Sequence, residues 1–220
     1  MDDTKLFPDE IKEIFEELKS EIVWLHGRWI IFEQLYASSP ERINFLNGIA
    51  AAYFRITQDV FVDDILMYIG RLTDHPEFGR NKRLSLGQIP AKLDEEKYPE
   101  LIEQLEAQLK NIKTLSRTIR DHRNKKLAHL DINVALRQVS PLEPVTFDAI
   151  QKTLEAIRKF MNECELYFLD SQTAYEAFSM KSDGQTLVNK LKKSVAYEEL
   201  EEEGLIEHGY WRTKSEYKDV

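Results

Sequence analysis

The sequence predicts an all-α protein, an antiparallel four-helix bundle with an additional C-terminal helix. Apolar residues recur at steps of three and four over long runs, which is the periodicity of amphipathic helices. Only 8 glycines and 7 prolines interrupt the chain, and they fall between those runs. No alternating apolar and polar pattern of useful length predicts a strand. Long helices joined by such connections are typical of a helical bundle.

The first predicted helix has the clearest apolar stripe, and it begins near Pro8, which suits a first helical turn. Its inner positions are Ile11, Phe15, Leu18, Ile22, Leu25, Trp29, Phe32 and Tyr36. In the segment "SSPER", Ser39 can cap a second helix and Pro40 can take its first position. We expect this second helix to reach about Asp74, with Gly48 as an early break.

Three more helices are predicted after a mixed connection over residues 75–97. The third begins near Pro99 and ends in "RDHRNKKLAHLD". Thr146 can cap the fourth, whose inner stripe places Cys164 in the core. A shorter fifth helix is predicted over residues 184–203.

The length and composition allow one medium domain, or a domain with an appendage, because 220 residues with 42% hydrophobic content can build a real core. We expect a bundle domain over residues 1–170. Residues 171–220 are expected to form a C-terminal helical extension that packs on the bundle or on a partner.

The charge and cysteine content indicate an acidic cytoplasmic protein. A net charge of −9 disfavours a general polyanion binder, so a nucleic-acid role requires a local basic patch. The single cysteine excludes a disulfide framework, and the acidic N-terminus lacks an apolar signal segment. The longest near-apolar stretches are broken by Asp63, Asp64 and Arg71, so no membrane span is expected.

A permanently charged residue, Arg123, occupies a position of the third predicted helix where the apolar stripe predicts a residue such as leucine. The inner positions are Leu105, Ile112, Leu115 and Ile119, and the next residue on that side is Arg123. Burying an unpaired guanidinium costs several kcal/mol, and arginine cannot lose its proton. Arg123 therefore needs an anionic partner, a bend into solvent or a second subunit. The alternative is that Arg123 lies at the C-terminal end of the helix and extends its charged group into solvent, where the helix dipole also favours a cation.

A histidine, His129, follows Arg123 by six residues. On an ideal helix it lies about 240° around from Arg123, so the two do not share a face. They converge only if the helix kinks or ends near Leu127, or if they come from different subunits. Either arrangement places the motif at an end of the bundle or at an interface. Alone, His129 would be an ordinary structural histidine.

A basic stripe leads to this motif along a neighbouring face, where Lys110, Lys113, Arg117 and Arg120 step by three and four. On an acidic protein it can guide a phosphate backbone, although a solvated helix face has the same pattern. The predicted RNA- or phosphate-binding residues are Arg117, Arg120, Lys125 and Lys126. A weaker anion contact is predicted in the connection, at Arg80, Lys82 and Arg83.

Asp64, Arg71 and His122 are candidate supporting residues. Asp64 and Arg71 are nearly aligned on the second helix and can pair with each other, and either Asp63 or Asp64 can be the buried partner of Arg123. His122 and His129 share a face of an unbroken helix, but no third ligand follows at a suitable spacing, so no metal is predicted. Common nucleotide, hydrolase and zinc-protease motifs do not occur in the sequence.

The segment "RNKKLAH" resembles the R-x(4–6)-H signature of the HEPN superfamily, with polar Asn124 after the arginine. With "WLHGRWIIFEQLY" and "FVDDILMYIGRLTD", it is similar to the abortive-infection U-type branch over roughly residues 10–170. The resemblance implies a homodimer in which two motifs face each other and form one ribonuclease centre without a metal or cofactor. Arg123, Asn124 and His129 would be its catalytic residues.

One position departs from a family pattern. HEPN toxins that nucleotidyltransferase antitoxins neutralise carry a tyrosine two places after the histidine, where this chain has Asp131. That mode of control is not expected here, although an antitoxin protein of another kind stays open as a partner.

The residue types suit RNA cleavage by attack of a 2′-OH on the adjacent phosphate. An imidazole titrating near ~6.5 can move protons at cellular pH, and a planar guanidinium suits phosphate oxygens. Single-stranded or loop RNA is the expected substrate, in phage defence or a related stress response. Two alternatives remain, namely a non-catalytic bundle that binds a nucleotide or protein, and a dimerisation module in which Arg123 only makes an ion pair.

Overall fold

A computed structural model describes residues 7–128 and 131–214, which are mostly helical, and this confirms the predicted all-α class. The helices are α1 (Asp9–Phe32), α2 (Pro40–Leu72), α3 (Gln88–Lys92), α4 (Pro99–Leu115), α5 (Arg117–His122), α6 (Ile132–Ala135), α7 (Phe147–Leu169), α8 (Gly184–Glu202) and α9 (Tyr210–Lys214). Shorter elements are π-helical turns at Glu33–Ala37 and Arg123–Leu127, a 3-10 turn at Tyr175–Ala177, and strands β1 (Glu77–Phe78) and β2 (Asn81–Lys82). The antiparallel order of the long helices stays a prediction.

The two predicted N-caps, Ser39 and Thr146, are confirmed, because each hydroxyl accepts a backbone N–H of the helix that it precedes. The Ser39 hydroxyl accepts the Arg42 N–H at 3.2 Å, with Pro40 in the first position of α2. The Thr146 hydroxyl accepts the Ala149 N–H at 3.1 Å at the start of α7. A kink interrupts α2 at Ala50, two residues beyond the expected break, with φ −155° and ψ 72°.

The third predicted helix is broken in two, which the apolar stripe did not predict. Ser116 is buried between α4 and α5, and its hydroxyl donates to the Ile112 carbonyl at 2.7 Å. Such bonding to a carbonyl four residues earlier often bends helices. Beyond the break the packing partner changes, since α4 packs on α7 whereas α5 and the turn Arg123–Leu127 pack on α2. The break thus directs the end that carries Arg123 towards α2.

Two apolar cores hold the helices together. The main core joins α1, α2, α3, α4, α5 and α7 and includes fully buried Cys164, as predicted. Burial raises the pKa of the Cys164 thiol, so it stays protonated. The second core lies between the π-helical turn after α1, the first half of α2 and α8, and consists of Leu35, Tyr36, Leu46, Phe54 and Val188. None of the helices in the described ranges has the length and apolar character needed to cross a bilayer.

The segment after α7 is tied to the bundle through the buried carboxylate of Glu165. Lys19 of α1 pairs with it at 2.6 Å, and the Thr173 hydroxyl donates to it at 2.9 Å. Buried Tyr175 lies beside the same carboxylate, and its ring centroid is 6.2 Å from that of His26. Residues directly beyond 170 therefore share polar contacts with α1 and α7, while the domain boundary itself stays a prediction.

We expect His26 to make folding stability depend on pH. Burial, reinforced by the charge of Arg158, lowers the pKa of His26 from 6.5 to about 4. Between these values the unfolded chain binds a proton that the folded protein does not, so stability is full above pH 6.5 and falls with pH. The loss approaches about 3 kcal/mol near pH 4.

Urea denaturation across this pH range measures the effect. In His26→Gln the dependence should become shallower, whereas His208→Gln, which removes a largely exposed histidine, should keep it. A wild-type slope in His26→Gln would contradict the assignment.

Candidate active site

The guanidinium of Arg123 is held by the carboxylate of Asp74. Arg123 begins the π-helical turn after α5, and its side chain is 17% exposed. Its Nη1 and Nη2 donate to Oδ1 and Oδ2 of Asp74 at 3.0 and 2.5 Å, which is a bidentate pair. Nη1 also donates to Oδ1 of Asn124 at 2.8 Å. The buried Nε has no hydrogen-bond partner within the described residues.

Asp74 serves a second guanidinium as well. It lies just beyond the end of α2, and Nη1 of Arg83, which follows the β-ribbon, donates to its Oδ2 at 3.3 Å. One carboxylate therefore faces two permanent cations, and the cluster keeps a net positive charge. The anionic partner expected for Arg123 exists, but it is neither Asp63 nor Asp64, and those two assignments were wrong.

A glycine lets the side chain of Arg123 cross α2. A Cβ added at Gly70 would lie 3.1 Å from Cγ and 3.2 Å from Cδ and Nε of Arg123. Contacts this short are tighter than ordinary van der Waals packing, so any larger residue would push the arginine stem away. Gly70 thus leaves room for the arginine stem beside α2, and Asp74, just beyond the end of that helix, binds the guanidinium.

An open cleft of about 480 Å³ lies beside this cluster. Its lining residues are Glu21, Tyr68, Arg71, Leu72, Asp74, Arg83, Leu84 and Arg123. The volume falls in the range of small-molecule sites. Three arginines face two carboxylates, so the cleft is locally positive on a chain of net charge −9.

The predicted pair of Asp64 with Arg71 was wrong. Asp64 instead pairs with Nε of Arg28 from α1 at 2.7 Å, and no ion pair joins it to Arg71 in the chain as described. The Arg71 guanidinium lies over the Tyr68 ring, with its carbon 4.1 Å from the ring centroid. Both candidate supporting residues therefore flank Tyr68, Arg71 directly and Asp64 through Arg28.

His122 and Arg117 hold the loop before α7 rather than facing the cleft. His122 Nε2 donates to the Glu143 carbonyl at 2.8 Å, and Arg117 pairs with the Glu143 carboxylate at 3.4 Å. Arg120 is half-buried, while Asn124, Lys125 and Lys126 are exposed on the π-helical turn.

The basic stripe forms one wall of a separate groove of about 640 Å³. Lys110, Lys113 and Arg117 line it from α4 and α5, opposite His75 and Pro90. The connection after α2 separates this groove from the Arg123 cleft, because Asp74 lines one and His75 the other.

His129, the predicted proton shuttle, lies outside the described residues. The π-helical turn that carries Arg123 ends at Leu127. A helix end near Leu127 is one of the two arrangements in which the sequence allows Arg123 and His129 to converge. Asp131, which occupies the position of the tyrosine in HEPN toxins that nucleotidyltransferases neutralise, accepts the N–H groups of Asn133 and Val134 at 2.9 and 3.2 Å and caps α6. Within residues 7–128 and 131–214, no group of three or more histidine, cysteine or carboxylate residues could hold a metal ion.

The all-α fold, with Arg123 and Asn124 in the π-helical turn after α5, is consistent with the abortive-infection HEPN class. The profile of the AbiU2 family of HEPN domains matches residues 8–187, and the chain belongs to this family. No curated protein and no solved structure matches the chain. HEPN domains typically dimerise.

We expect the Asp74–Arg123 pair to contribute strongly to stability. Asp74→Asn should lower the free energy of unfolding by about 3 kcal/mol, because it removes the carboxylate that half-buried Arg123 pairs with in a bidentate geometry. Asp59→Asn, which breaks the exposed pair with Arg55 on the same helix, should cost no more than about 0.5 kcal/mol.

Denaturant unfolding of both variants measures the difference. Adding Arg123→Met to Asp74→Asn should recover part of the loss, since the unpaired cation is removed. Equal effects of Asp74→Asn and Asp59→Asn would contradict this role.

Two glycine substitutions on α2 test the close contact with Arg123. A Cβ at Gly48 meets nothing within 4 Å, so Gly48→Ala should raise the free energy of unfolding by up to about 1 kcal/mol through helix propensity. Gly70→Ala should gain nothing or lose stability, because its Cβ displaces Arg123. Equal gains in thermal or urea unfolding would show that the contact is unimportant.

Proposed function

We propose that this protein is a metal-independent HEPN endoribonuclease, a toxin of abortive infection that acts in phage defence or a related stress response. The Asp74-held guanidinium of Arg123 at an open cleft carries the proposal. A cation fixed in position before the substrate arrives can stabilise growing negative charge without reorganisation. Arg123, Asn124 and His129 are its proposed catalytic residues. The motif that they form is the reason for proposing RNA cleavage at this cleft.

The proposed reaction is an attack of the 2′-OH of RNA on the adjacent phosphorus. The new 2′-oxygen–phosphorus bond forms as the bond from phosphorus to the 5′-oxygen breaks, which leaves a cyclic phosphate and a free 5′-OH. A base takes the 2′-OH proton, and an acid gives one to the leaving oxygen. His129 is the imidazole proposed for both transfers, one from each subunit of a homodimer.

Arg123 and Asn124 have separate proposed tasks. The guanidinium stabilises the extra charge on the phosphate oxygens during attack, and Asn124, bonded to it at 2.8 Å, orients the phosphate or the sugar hydroxyl. Exposed Lys125 and Lys126, together with Arg117 and Arg120, are proposed to attract the RNA backbone. An antitoxin protein is a proposed further partner.

A second candidate function is a non-catalytic bundle that binds a nucleotide. The cleft volume of about 480 Å³ favours it, because one nucleotide is a ligand of suitable size. Most donors of Arg123 are already bonded to Asp74 and Asn124. This arrangement suits an arginine that attracts a bound phosphate by its charge and takes no part in a reaction. The two candidates differ in whether bound RNA is cut.

We expect purified protein to cleave labelled single-stranded RNA in the presence of a chelator, leaving cyclic phosphate ends. His129→Ala should lower the rate at least about 100-fold by removing the proton shuttle, while the fold and the dimer remain. Gel analysis of the products measures the rate, with His208→Ala as the control for removing an exposed histidine elsewhere.

Full cleavage by His129→Ala would refute the catalytic assignment. RNA that binds to the wild type and stays intact would support the nucleotide-binding candidate. Induced expression in a bacterium gives a second measurement, because toxicity should disappear in Arg123→Ala and His129→Ala if the enzyme is active.

A further inference from the structure

Two arginines lie against the ring of Tyr68 at the Arg123 cleft. The guanidinium carbon of Arg28 is 4.2 Å from the ring centroid, and that of Arg71 is 4.1 Å. Arg28 is engaged elsewhere too, because its Nε pairs with Asp64 at 2.7 Å and its Nη2 donates to the Tyr68 hydroxyl at 3.0 Å. These contacts hold the ring in place.

Arg71 differs from Arg28 in what its nitrogens do. Its side chain is exposed and lines the cleft, and within the described residues it makes no hydrogen bond or ion pair. The positive charge of a guanidinium is attracted to the face of an aromatic ring. Its N–H groups lie in the guanidinium plane and remain able to donate hydrogen bonds to a ligand. The ring also limits the rotamers of the arginine, which reduces the entropy lost when it binds a ligand.

The other two arginines of the cleft are already engaged in ion pairs with the protein. Arg123 and Arg83 both donate to Asp74, and Arg123 also donates to Asn124. An incoming anion therefore meets a positive cleft in which Arg71 offers donors that the described protein groups do not use. Its planar fork matches two oxygens of a phosphate.

We propose that Arg71, supported by the Tyr68 ring, is an anion-binding subsite that takes one phosphodiester of an RNA strand next to the phosphate at Arg123. The identity of the ligand as RNA rests on the proposed function. The subsite has its own evidence in the ring contact and the uncommitted donors of Arg71.

The test measures binding of the full chain to a fluorescent single-stranded RNA of mixed sequence with 2′-O-methyl groups, which cannot be cleaved by 2′-OH attack. Fluorescence anisotropy at several salt concentrations gives the affinity. Arg71→Ala should weaken binding about tenfold, and the slope of log K against log salt should fall by about 0.7, the value for one phosphate contact on a single strand.

Two further variants separate the subsite from general charge effects. Arg55→Ala changes the same charge on the same helix, but Arg55 is exposed, paired with Asp59 and not part of the cleft lining, so affinity and slope should stay near wild type. Tyr68→Phe should retain tight binding because the ring remains, whereas Tyr68→Leu should weaken it.

The outcomes are distinguishable from failure of the proposed function. Equal affinities for Arg71→Ala and Arg55→Ala, or no binding by the wild type, would overturn the subsite. Tight wild-type binding that depends on Arg71, in a protein that leaves ordinary RNA intact, would support the subsite and refute the ribonuclease.

Discussion

The carboxylate of Asp74 is the constraint on which the candidate site depends. Arginine cannot become neutral, so Arg123 can occupy an inner position of its helix only if a counter-charge is already there. Asp74 supplies that charge with both oxygens and also receives Arg83. The end of α2, the turn after α5 and the segment after the β-ribbon therefore meet at one carboxyl group. Gly70 completes the arrangement, because it leaves room for the arginine stem beside α2.

Irregular backbone brings these groups together. An unbroken third helix would continue along the surface that packs on α7, but Ser116 interrupts it and α5 packs on α2 instead. The last turn, Arg123–Leu127, is π-helical, a form that occurs frequently at functional sites. The exposed stretch Asn124–Lys126 then stands at the surface while Arg123 points inward. A small departure from helical regularity thus separates a half-buried cation from its exposed polar neighbours.

Two arginines of the cleft, Arg123 and Arg71, differ in how the protein holds them. Arg123 is fixed by Asp74, which favours precise orientation but leaves it few donors for a ligand. Among the residues that the structure describes, Arg71 is held by the Tyr68 ring alone and retains its donors at the edge of the cleft. Asp64 takes part indirectly, since it holds Arg28 and Arg28 in turn contacts Tyr68. The negative charge of the whole chain therefore says little about the potential at this particular surface.

Helical periodicity by itself determined the all-α class, the starts of α2 and α7 and the anomaly of a charge at Arg123, because each follows from spacing along one helix or from a cap next to it. The partner of Arg123 was decided by the tertiary structure. Asp74 lies beyond the end of α2 and off its stripe, 49 residues away in the chain, so no spacing rule could select it. Spacing within α2 pointed to Asp64 and Arg71 as a pair, yet Asp64 binds Arg28 of α1. Ion pairs form between whichever groups the packing of helices brings near, and that packing is set by apolar surfaces over the whole chain.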